Sequence, residues 1–348
     1  MDKYYEAAAL LPPFEAMLRR VPGSVAASAC EIRLRTGRPV TVETPNERYV
    51  CKDRNVTAEE LRACVKYFCD YSLYSAEKEL AEGRITLKGG HRAGFAGTAV
   101  MRGGEITTVK DISSVNLRIA AEHKGIAEKL MSMTVFEQGF SGLLIIGAPL
   151  SAKTTMLRDY ARLLSAFART CVIDENGEIA AVYRGIPQND VGLNCDVLDM
   201  FPKEEGIMRA VRLLSPEYII CDEVGAEYGR LADCAGKGVK LILSAHCGST
   251  EEAVSNTAVR ALVESRSVNF IAQLGHGTQL GRVLGLWRVN GIEDIGGCGS
   301  RNDMYRGRSR ILAGAAQTGV AASFSARADE RNVRENTLPR CAAAGAYR

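Results

Sequence analysis

A short stretch in the middle of the chain has the residue order of a loop that binds phosphate groups. It comprises Gly147, Ala148, Pro149, Leu150, Ser151, Ala152, Lys153, Thr154 and Thr155. In such a loop the backbone amides and the N-terminus of the following helix face the phosphates. We expect Lys153 to reach the β- and γ-phosphates and the Thr154 hydroxyl to bind Mg²⁺. The stretch therefore predicts ATP and Mg²⁺ as ligands.

The loop departs from the usual pattern of phosphate loops. The pattern G-x-x-x-x-G-K-[ST] has a glycine where this chain has Ala152, and Leu150 replaces a second residue that is often glycine. Glycine suits these positions because the backbone comes close to the phosphates and adopts conformations that a Cβ penalises. Two interpretations stay open: a phosphate loop of reduced activity, and an ordinary strand–loop–helix connection with a chance Lys-Thr-Thr.

Two apolar runs further along the chain also end in polar residues. The first ends in Asp222 and Glu223, and the second ends in Ser244 and His246. The carboxyl ends of parallel strands share one edge of a sheet, and ligands bind there. We expect Asp222 to accept the Mg²⁺ water shell and Glu223 to orient or deprotonate the attacking water. Ser244 or His246 would then sense the γ-phosphate, so the three motifs together predict hydrolysis.

The elements around these motifs alternate between short apolar runs and helix-like stretches. The predicted strands are SGLLIIGAP, RTCVIDENGE, PEYIICDEVG and GVKLILSAHC, and the predicted helices are TTMLRDYARLLSAF, EEGIMRAVRLLSP and a stretch around Ala226 to Ala235. Such alternation is typical of a parallel sheet flanked by helices, and apolar runs without a period of two fit strands covered on both faces. We therefore assign residues 126–297 to an α/β domain.

The first 125 residues have a different pattern and predict a smaller α+β domain. Residues 1–20 have helical spacing up to the breaker Val21-Pro22-Gly23. Alternating residues predict strands in EIRLRTGRPVTVET and ERYVCK. Thr57 and Glu60 have the spacing of a capping box that opens a helix to about Cys69. A further helix over Ser75–Ala81 and a hairpin-like stretch are also predicted, the latter with turns at Gly89-Gly90 and Gly103-Gly104.

Composition narrows the function classes. No run approaches the roughly 18 apolar residues of a spanning helix, and the N-terminus has no signal-peptide pattern, so we expect a cytoplasmic protein. The 11 cysteines form no C-x-x-C pair, which disfavours a zinc site. The net charge is +3 and aromatic residues make up 6%, which disfavours nucleic acid as a partner. Residues 298–348 are rich in arginine and predict a basic, loosely ordered tail.

Several motifs together resemble a known family. The segments GAPLSAKTTMLRD, VIDENGEIA, LLSPEYIICDEVG and LILSAHCGSTEE resemble the ATPases of type II and type IV secretion systems. Within that superfamily the chain is more similar to the stage III sporulation AA family of endospore-forming bacteria. That closer resemblance includes EIRLRTGRP, RITLKGGHRAGFAGTAV and ISSVNLRIA, and the whole spans roughly residues 10–295.

The resemblance implies a RecA-like P-loop NTPase core that follows a smaller N-terminal α+β domain. It also implies a ring hexamer with nucleotide at the subunit boundaries. An acidic box, here Asp174–Glu178, would supply Glu175 or Glu178 to assist Mg²⁺ or water beside Glu223. His246 would form the histidine box. An arginine would stabilise the charge that develops on the transferred phosphoryl group. The candidates for it are Arg33, Arg35, Arg92 and Arg118.

The resemblance also implies a role in sporulation. The chain would act in the mother-cell cytoplasm as the motor of a channel complex, associated peripherally with the membrane through integral membrane proteins. A second hypothesis keeps the same complex but makes the chain a catalytically weakened nucleotide-binding scaffold, because Ala152 replaces the loop glycine. A nucleic-acid-dependent ATPase is a third and less favoured hypothesis, supported by the arginine-rich tail.

Overall fold

The computed structural model describes residues 3–70, 77–225 and 227–290. These residues form two compact units, which are not continuous in sequence. The first unit contains residues up to 126 together with 172–191 and 197–202. The second unit contains residues 127–171 and 192–196, and everything described from 203 onwards. The predicted tail, residues 298–348, lies outside the described residues.

The first unit is built on an antiparallel sheet with helices. Its elements up to residue 126 are α1 (Lys3–Ala9), α2 (Glu15–Leu18), α3 (Gly23–Ser28), β1 (Glu31–Arg35), β2 (Pro39–Glu43), β3 (Arg48–Asn55), α4 (Ala58–Phe68), α5 (Glu77–Ala81), β4 (Arg84–Thr86), β5 (Arg92–Arg102) and β6 (Glu105–Arg118). The six strands follow the order β3-β2-β1-β6-β5-β4, and all neighbours are antiparallel. Ile32 and Leu34 are fully buried, whereas Arg33 and Arg35 alternate with them on the opposite face.

Local signals that depend on neighbouring residues are confirmed in this unit. Thr57 accepts a hydrogen bond from the Glu60 amide, and the Glu60 side chain accepts one from the Thr57 amide, so both halves of the capping box form. The predicted turn at Gly103-Gly104 joins β5 to β6, and both glycines have positive φ angles. These features need only a few adjacent residues, which is why the sequence predicts them well.

The prediction of one helical stretch over residues 1–20 is wrong in part. The helix α1 ends at Ala9, and Pro12 and Pro13 separate it from α2 because proline lacks an amide donor and restricts the residue before it. Gly23, expected to break a helix, begins α3 after Pro22. Of the helix predicted over Ser75–Ala81, α5 accounts for the last five residues, and 75–76 lie outside the described residues.

The remaining elements follow in chain order. They are α6 (Glu128–Ser132), β7 (Gly142–Gly147), α7 (Lys153–Leu164), β8 (Thr170–Asp174), β9 (Val182–Tyr183), β10 (Ile186–Pro187), β11 (Cys195–Asp199), α8 (Lys203–Arg209), β12 (Tyr218–Cys221), α9 (Tyr228–Gly236), β13 (Lys240–His246), α10 (Thr250–Ser255), α11 (Thr257–Glu264), β14 (Phe270–Leu274) and β15 (Val283–Arg288). The strands β9 and β10 form a small hairpin of the first unit. A π-helical turn over Ala210–Leu214 extends α8.

A largely parallel sheet organises the second unit. The five neighbouring strands of this sheet that lie wholly in the second unit follow the order β12-β13-β7-β14-β15. The strands β12, β13, β7 and β14 run parallel, and β15 is antiparallel at the edge. The central strand β7 is completely buried, as expected for a strand covered on both faces. The predicted fold class is confirmed: one unit has an α/β core with a largely parallel sheet flanked by helices, and the other is an α+β unit.

The strand order brings three strand ends together. In the register of β13 with β7, His246 lies opposite Gly147, and in the register of β12 with β13, Cys221 lies opposite Leu243. The residues that follow β7 and β12 therefore flank the end of β13. Among the helices that the structure describes, none is both long and apolar enough to span a membrane.

His91 is a fully buried histidine in the first unit. Its Nδ1 accepts a hydrogen bond from the Ala120 amide at 3.1 Å, whereas no hydrogen-bond partner for Nε2 occurs among the described residues. Burial, reinforced by the positive charge of Lys3 and opposed by Glu6, lowers the pKa of His91 to about 4. The imidazole is therefore neutral at pH 7.

Acidification should destabilise the first unit through His91. Between pH 6.5 and 4 the unfolded chain binds a proton at this residue and the folded chain does not, so stability falls as pH falls. From pH 7 to pH 5 we expect a loss of about 2 kcal/mol from this residue. The measurement is hydrogen exchange of β1 and β6 amides, corrected for intrinsic pH dependence. His91→Gln should remove this pH-dependent loss of stability. His123→Gln, at an exposed histidine, should keep it. Equal pH dependence in all three proteins would contradict the assignment.

Candidate active site

The loop between β7 and α7 contains two residues in a left-handed conformation. Leu150 has a φ of +62° and Ala152 a φ of +70°. These are the two positions at which the sequence departs from the usual glycines, so the expectation of an unfavourable backbone conformation is confirmed. For a residue with a Cβ this conformation costs roughly 1 kcal/mol or more. The loop adopts these conformations without glycine, at that cost.

Close packing inside the loop explains the glycine that the chain retains. A Cβ at Gly147 would meet the Ser151 Oγ and would lie 3.1 Å from the Ser151 Cβ, so a larger residue there would require Ser151 to move. The Ser151 side chain is buried, and its Oγ has no hydrogen-bond partner within the described part of the chain. Ala152 provides no side-chain cap for α7. A buried hydroxyl and an uncapped helix N-terminus are the groups that an anion would satisfy.

Lys153 lies at the centre of the site. Its Nζ donates hydrogen bonds to the carbonyl oxygens of Gly147 and Ala148 at 2.9 and 3.0 Å, and lies 3.1 Å from the Nδ1 of His246. The residue is 5% exposed. Burial lowers the pKa of Lys153, and the negative charges of Asp222 and Glu223 oppose that shift. The ammonium group is thus held inside the loop, facing the ends of β12 and β13.

Asp222 connects three elements through its carboxylate. The Thr154 hydroxyl donates to its Oδ2 at 2.6 Å, and the Ser244 hydroxyl donates to its Oδ1. The first residues of α7 and the ends of β12 and β13 are therefore bound to one another. A hydroxyl and a carboxylate side by side are hard oxygen ligands of the kind that Mg²⁺ prefers. Among the residues that the structure describes, no cluster of three His, Cys, Asp or Glu side chains could hold a metal alone.

Glu223 and His246 form a second contact at this edge. The His246 Nε2 lies 2.5 Å from the Glu223 Oε1. Because the Lys153 ammonium can only donate, the imidazole accepts at Nδ1 and carries its proton on Nε2, which donates to Glu223. Both side chains are nearly half exposed. The arrangement aligns a carboxylate that can accept a proton with an imidazole that orients it.

Lys203, at the start of α8, also contacts the site. Its Nζ donates a hydrogen bond to the backbone carbonyl of Glu223. Sequence reasoning missed this residue, because a lysine that opens a helix 20 residues before its partner has no motif. The contact depends on how α8 packs beside the β12–α9 loop, which the sequence does not state.

The other predicted residues lie in the first unit. Glu175 and Glu178 follow β8, and Arg92 forms an ion pair with Glu178 at 2.6 Å. Arg33 pairs with Glu31 at 2.7 Å. Two of the four arginine candidates therefore have carboxylate partners within their own unit.

The last two arginine candidates lie on the same sheet as Arg33 and Arg92. Arg118 is exposed at the end of β6, and Arg35 is half-buried at the end of β1. Both belong to the first unit, whereas Lys153, Thr154, Asp222, Glu223 and His246 are brought together in the second.

Comparison with solved structures defines the class of fold. The ATPase DotB of Legionella pneumophila aligns over 75% of this chain and 75% of its own, with a TM-score of 0.51 and 16% identity. The pilus retraction motor PilT, solved with bound ADP, aligns over 70% of this chain and 74% of its own, with a TM-score of 0.50 and 16% identity. The chain has the fold of these ATPases.

Sequence comparison defines the family within that class. The family model for sporulation stage III, protein AA matches residues 15–293, and the chain belongs to that family. The stage III sporulation protein AA of Bacillus subtilis (strain 168) is 36% identical over 269 residues. That alignment covers 75% of this chain and 87% of the relative.

Restoring glycine at position 152 should stabilise the second unit. Ala152→Gly removes the left-handed penalty but adds unfolded-state entropy, so we expect a net gain of about 0.5–1 kcal/mol. Ala232→Gly, in the middle of α9, is the control and should lose about 1 kcal/mol. The measurement is urea unfolding followed by the fluorescence of Trp287, the single tryptophan, on β15 of this unit. A loss of stability in Ala152→Gly would show that the left-handed alanine carries no cost.

Proposed function

We propose that this chain binds ATP with Mg²⁺ and hydrolyses it as the motor of a membrane-associated channel complex in endospore formation. The observation that carries the proposal is the convergence of Lys153, Thr154, Asp222, Glu223 and His246 at one edge of a parallel sheet. Ligands of such sheets bind at the carboxyl ends of the strands. The family and the fold support the same reading.

The loop and α7 would bind the phosphates. The amides of the loop and of the first turn of α7 would donate to phosphate oxygens, and Lys153 would place its ammonium beside the β- and γ-phosphates. The Lys153 ammonium donates to two loop carbonyls and an imidazole, which are neutral acceptors. A bound phosphate would offer it an anionic oxygen instead. Charge-assisted hydrogen bonds of that kind are about twice as strong as neutral ones.

Thr154 and Asp222 would hold the metal. Their oxygens lie 2.6 Å apart, which fits a pair that shares one cation directly or through its water. When bound, Mg²⁺ supplies positive charge that neutralises the phosphate oxygens. Ser244 would keep the Asp222 carboxylate fixed while the hydroxyl of Thr154 turns to the metal.

Glu223 would activate the water. A bond forms between the water oxygen and the γ-phosphorus, the bond from that phosphorus to the β–γ bridging oxygen breaks, and the Glu223 carboxylate takes the water proton. ADP and phosphate leave. His246 would orient Glu223 through its Nε2 proton. Glu175 or Glu178, and an arginine such as Arg118, would complete the charge stabilisation.

The assembly follows the family resemblance. We propose a ring hexamer on the cytoplasmic, mother-cell side of the membrane, docked on integral membrane proteins of the channel complex. Residues 1–125 and 126–297 would act as the N-terminal domain and the ATPase domain, with 298–348 as a tail. Nucleic acid is not among the proposed partners.

A catalytically weakened scaffold is the second candidate. The left-handed conformations of Leu150 and Ala152 favour it, because a methyl group stands where glycine allows the closest approach to phosphate. ATP binding and hydrolysis separate the two candidates. Binding raises the stability of the folded chain by RT ln(1 + [L]/Kd), so a thermal shift with Mg²⁺ and ATP measures it without turnover.

Hydrolysis should depend on Lys153 and Glu223 in different ways. Lys153→Ala should lose ATP binding and phosphate release, whereas Glu223→Gln should still bind ATP but lose phosphate release by about 100-fold or more. Lys237→Ala and Glu264→Gln, at exposed positions on other elements, are matched controls. The measurements are phosphate release and the thermal shift with ATP.

Each outcome has a distinct meaning. Phosphate release at the wild-type rate in both Lys153→Ala and Glu223→Gln would contradict the motor proposal. A thermal shift without any phosphate release in the wild-type chain would favour the scaffold. The absence of a shift at millimolar ATP would contradict both candidates.

A further inference from the structure

The backbone of Glu223 has an uncommon conformation. Its φ angle is +51°, in the left-handed region that few residues with a side chain adopt. Such a conformation persists only where the surroundings hold it, and it is concentrated at functional positions. The contacts that hold Glu223 therefore determine where its carboxylate points.

The strand β13 holds Glu223 from the amide side. The Glu223 amide donates to the Ser244 Oγ at 3.0 Å, and the Val224 amide donates to the Ser244 carbonyl at 2.8 Å. Both acceptors belong to one residue of a fully buried part of the strand. These bonds fix one side of the peptide but leave the Glu223 carbonyl to another partner.

Lys203 binds the backbone carbonyl of Glu223. Its Nζ donates to the Glu223 carbonyl oxygen, and its side chain is only 12% exposed. The Glu227 carboxylate is 3.9 Å from the same ammonium and accepts from the Gly225 amide at 2.8 Å. A largely buried ammonium group therefore lies between the carbonyl of Glu223 and the carboxylate of Glu227. Hydrogen bonds from charged donors in such surroundings are stronger than neutral ones.

We propose that Lys203 is a positioning residue for Glu223, which fixes the left-handed backbone of the catalytic carboxylate so that it faces His246. The proposal rests on the proposed ATP hydrolysis, in which Glu223 activates the water. Lys203 acts through the carbonyl of Glu223 and has no contact with substrate in this role. Its loss should therefore reduce turnover and leave nucleotide affinity unchanged.

A purely structural role in joining α8 to the β12–α9 loop would give a different result. The ion pair of Arg230 with Glu204, at 2.9 Å, already connects α8 to α9, and both of its side chains are about half exposed. Arg230→Met removes a connection between the same helices without touching Glu223. It is therefore the matched control for Lys203→Met.

The first test separates turnover from binding. Lys203→Met should lower kcat about tenfold, which corresponds to the loss of one charge-assisted hydrogen bond. KM and the Kd for ATP should stay within twofold of wild type. Lys203→Arg, which keeps a cationic donor, should restore at least a third of kcat, and Arg230→Met should match wild type. Equal losses in kcat and affinity, or equal effects of Lys203→Met and Arg230→Met, would overturn the proposal.

A double-mutant cycle tests whether Lys203 acts through Glu223. In the Glu223→Gln background, Lys203→Met should cause no more than a twofold further loss, because the carboxylate that it positions is gone. A full tenfold further loss in that background would show that Lys203 acts independently of Glu223.

Hydrogen exchange tests the same contact without catalysis. In the nucleotide-free chain, the amides of Glu223 and Val224 should exchange about tenfold faster in Lys203→Met and at the wild-type rate in Arg230→Met. This measurement holds even if wild type releases no phosphate, so failure of the proposed function and failure of this inference are distinguishable. Unchanged exchange in Lys203→Met would overturn the inference.

Discussion

The geometry of the site depends on the two hydrogen bonds that the Asp222 carboxylate accepts. One oxygen accepts from Thr154 at the start of α7, and the other accepts from Ser244 on β13. Three elements that are distant in sequence are thereby held at one sheet edge. The Asp222 carboxylate is partly buried, and the hydroxyl groups of Thr154 and Ser244 supply the donors that satisfy it there. Lys153, Glu223 and His246 lie at the same edge of the sheet.

Three of the ten non-glycine residues with positive φ angles in the described part of the chain lie at the same edge. Leu150, Ala152 and Glu223 all have positive φ angles, and all three lie in loops that leave the carboxyl ends of β7 and β12. The two sheet strands below them are completely buried and provide the rigid support that such conformations need. In this unit the buried strands support loops with strained backbone. Those loops carry polar groups of the candidate site.

Sequence reasoning succeeded where the signal was local or followed from a strand end. The strand–loop–helix around Lys153, the acids after β12 and the polar end of β13 could all be placed because buried strands have apolar runs. Strand order could not be predicted, because β7 lies between β13 and β14 through crossovers that no short pattern encodes. The edge strand β15 has a weak pattern, since Gly285 interrupts it and its side chains are partly exposed. Lys203 was missed because its target is a backbone carbonyl, which is common to every residue.

The hydrogen-bonded series from Lys153 through His246 to Glu223 has a consequence for timing. An imidazole with one proton must accept at one nitrogen and donate at the other, so a change of partner at one end alters the preferred partner at the opposite end. If the ammonium turned toward an incoming anion, Nδ1 would lose its donor, and the Glu223 carboxylate alone would keep the proton on Nε2. The imidazole would then have one partner instead of two. If it turned away, the Glu223 carboxylate would be free to accept a proton from another source. In this way, binding of the anion at Lys153 would control when the Glu223 carboxylate can accept a proton.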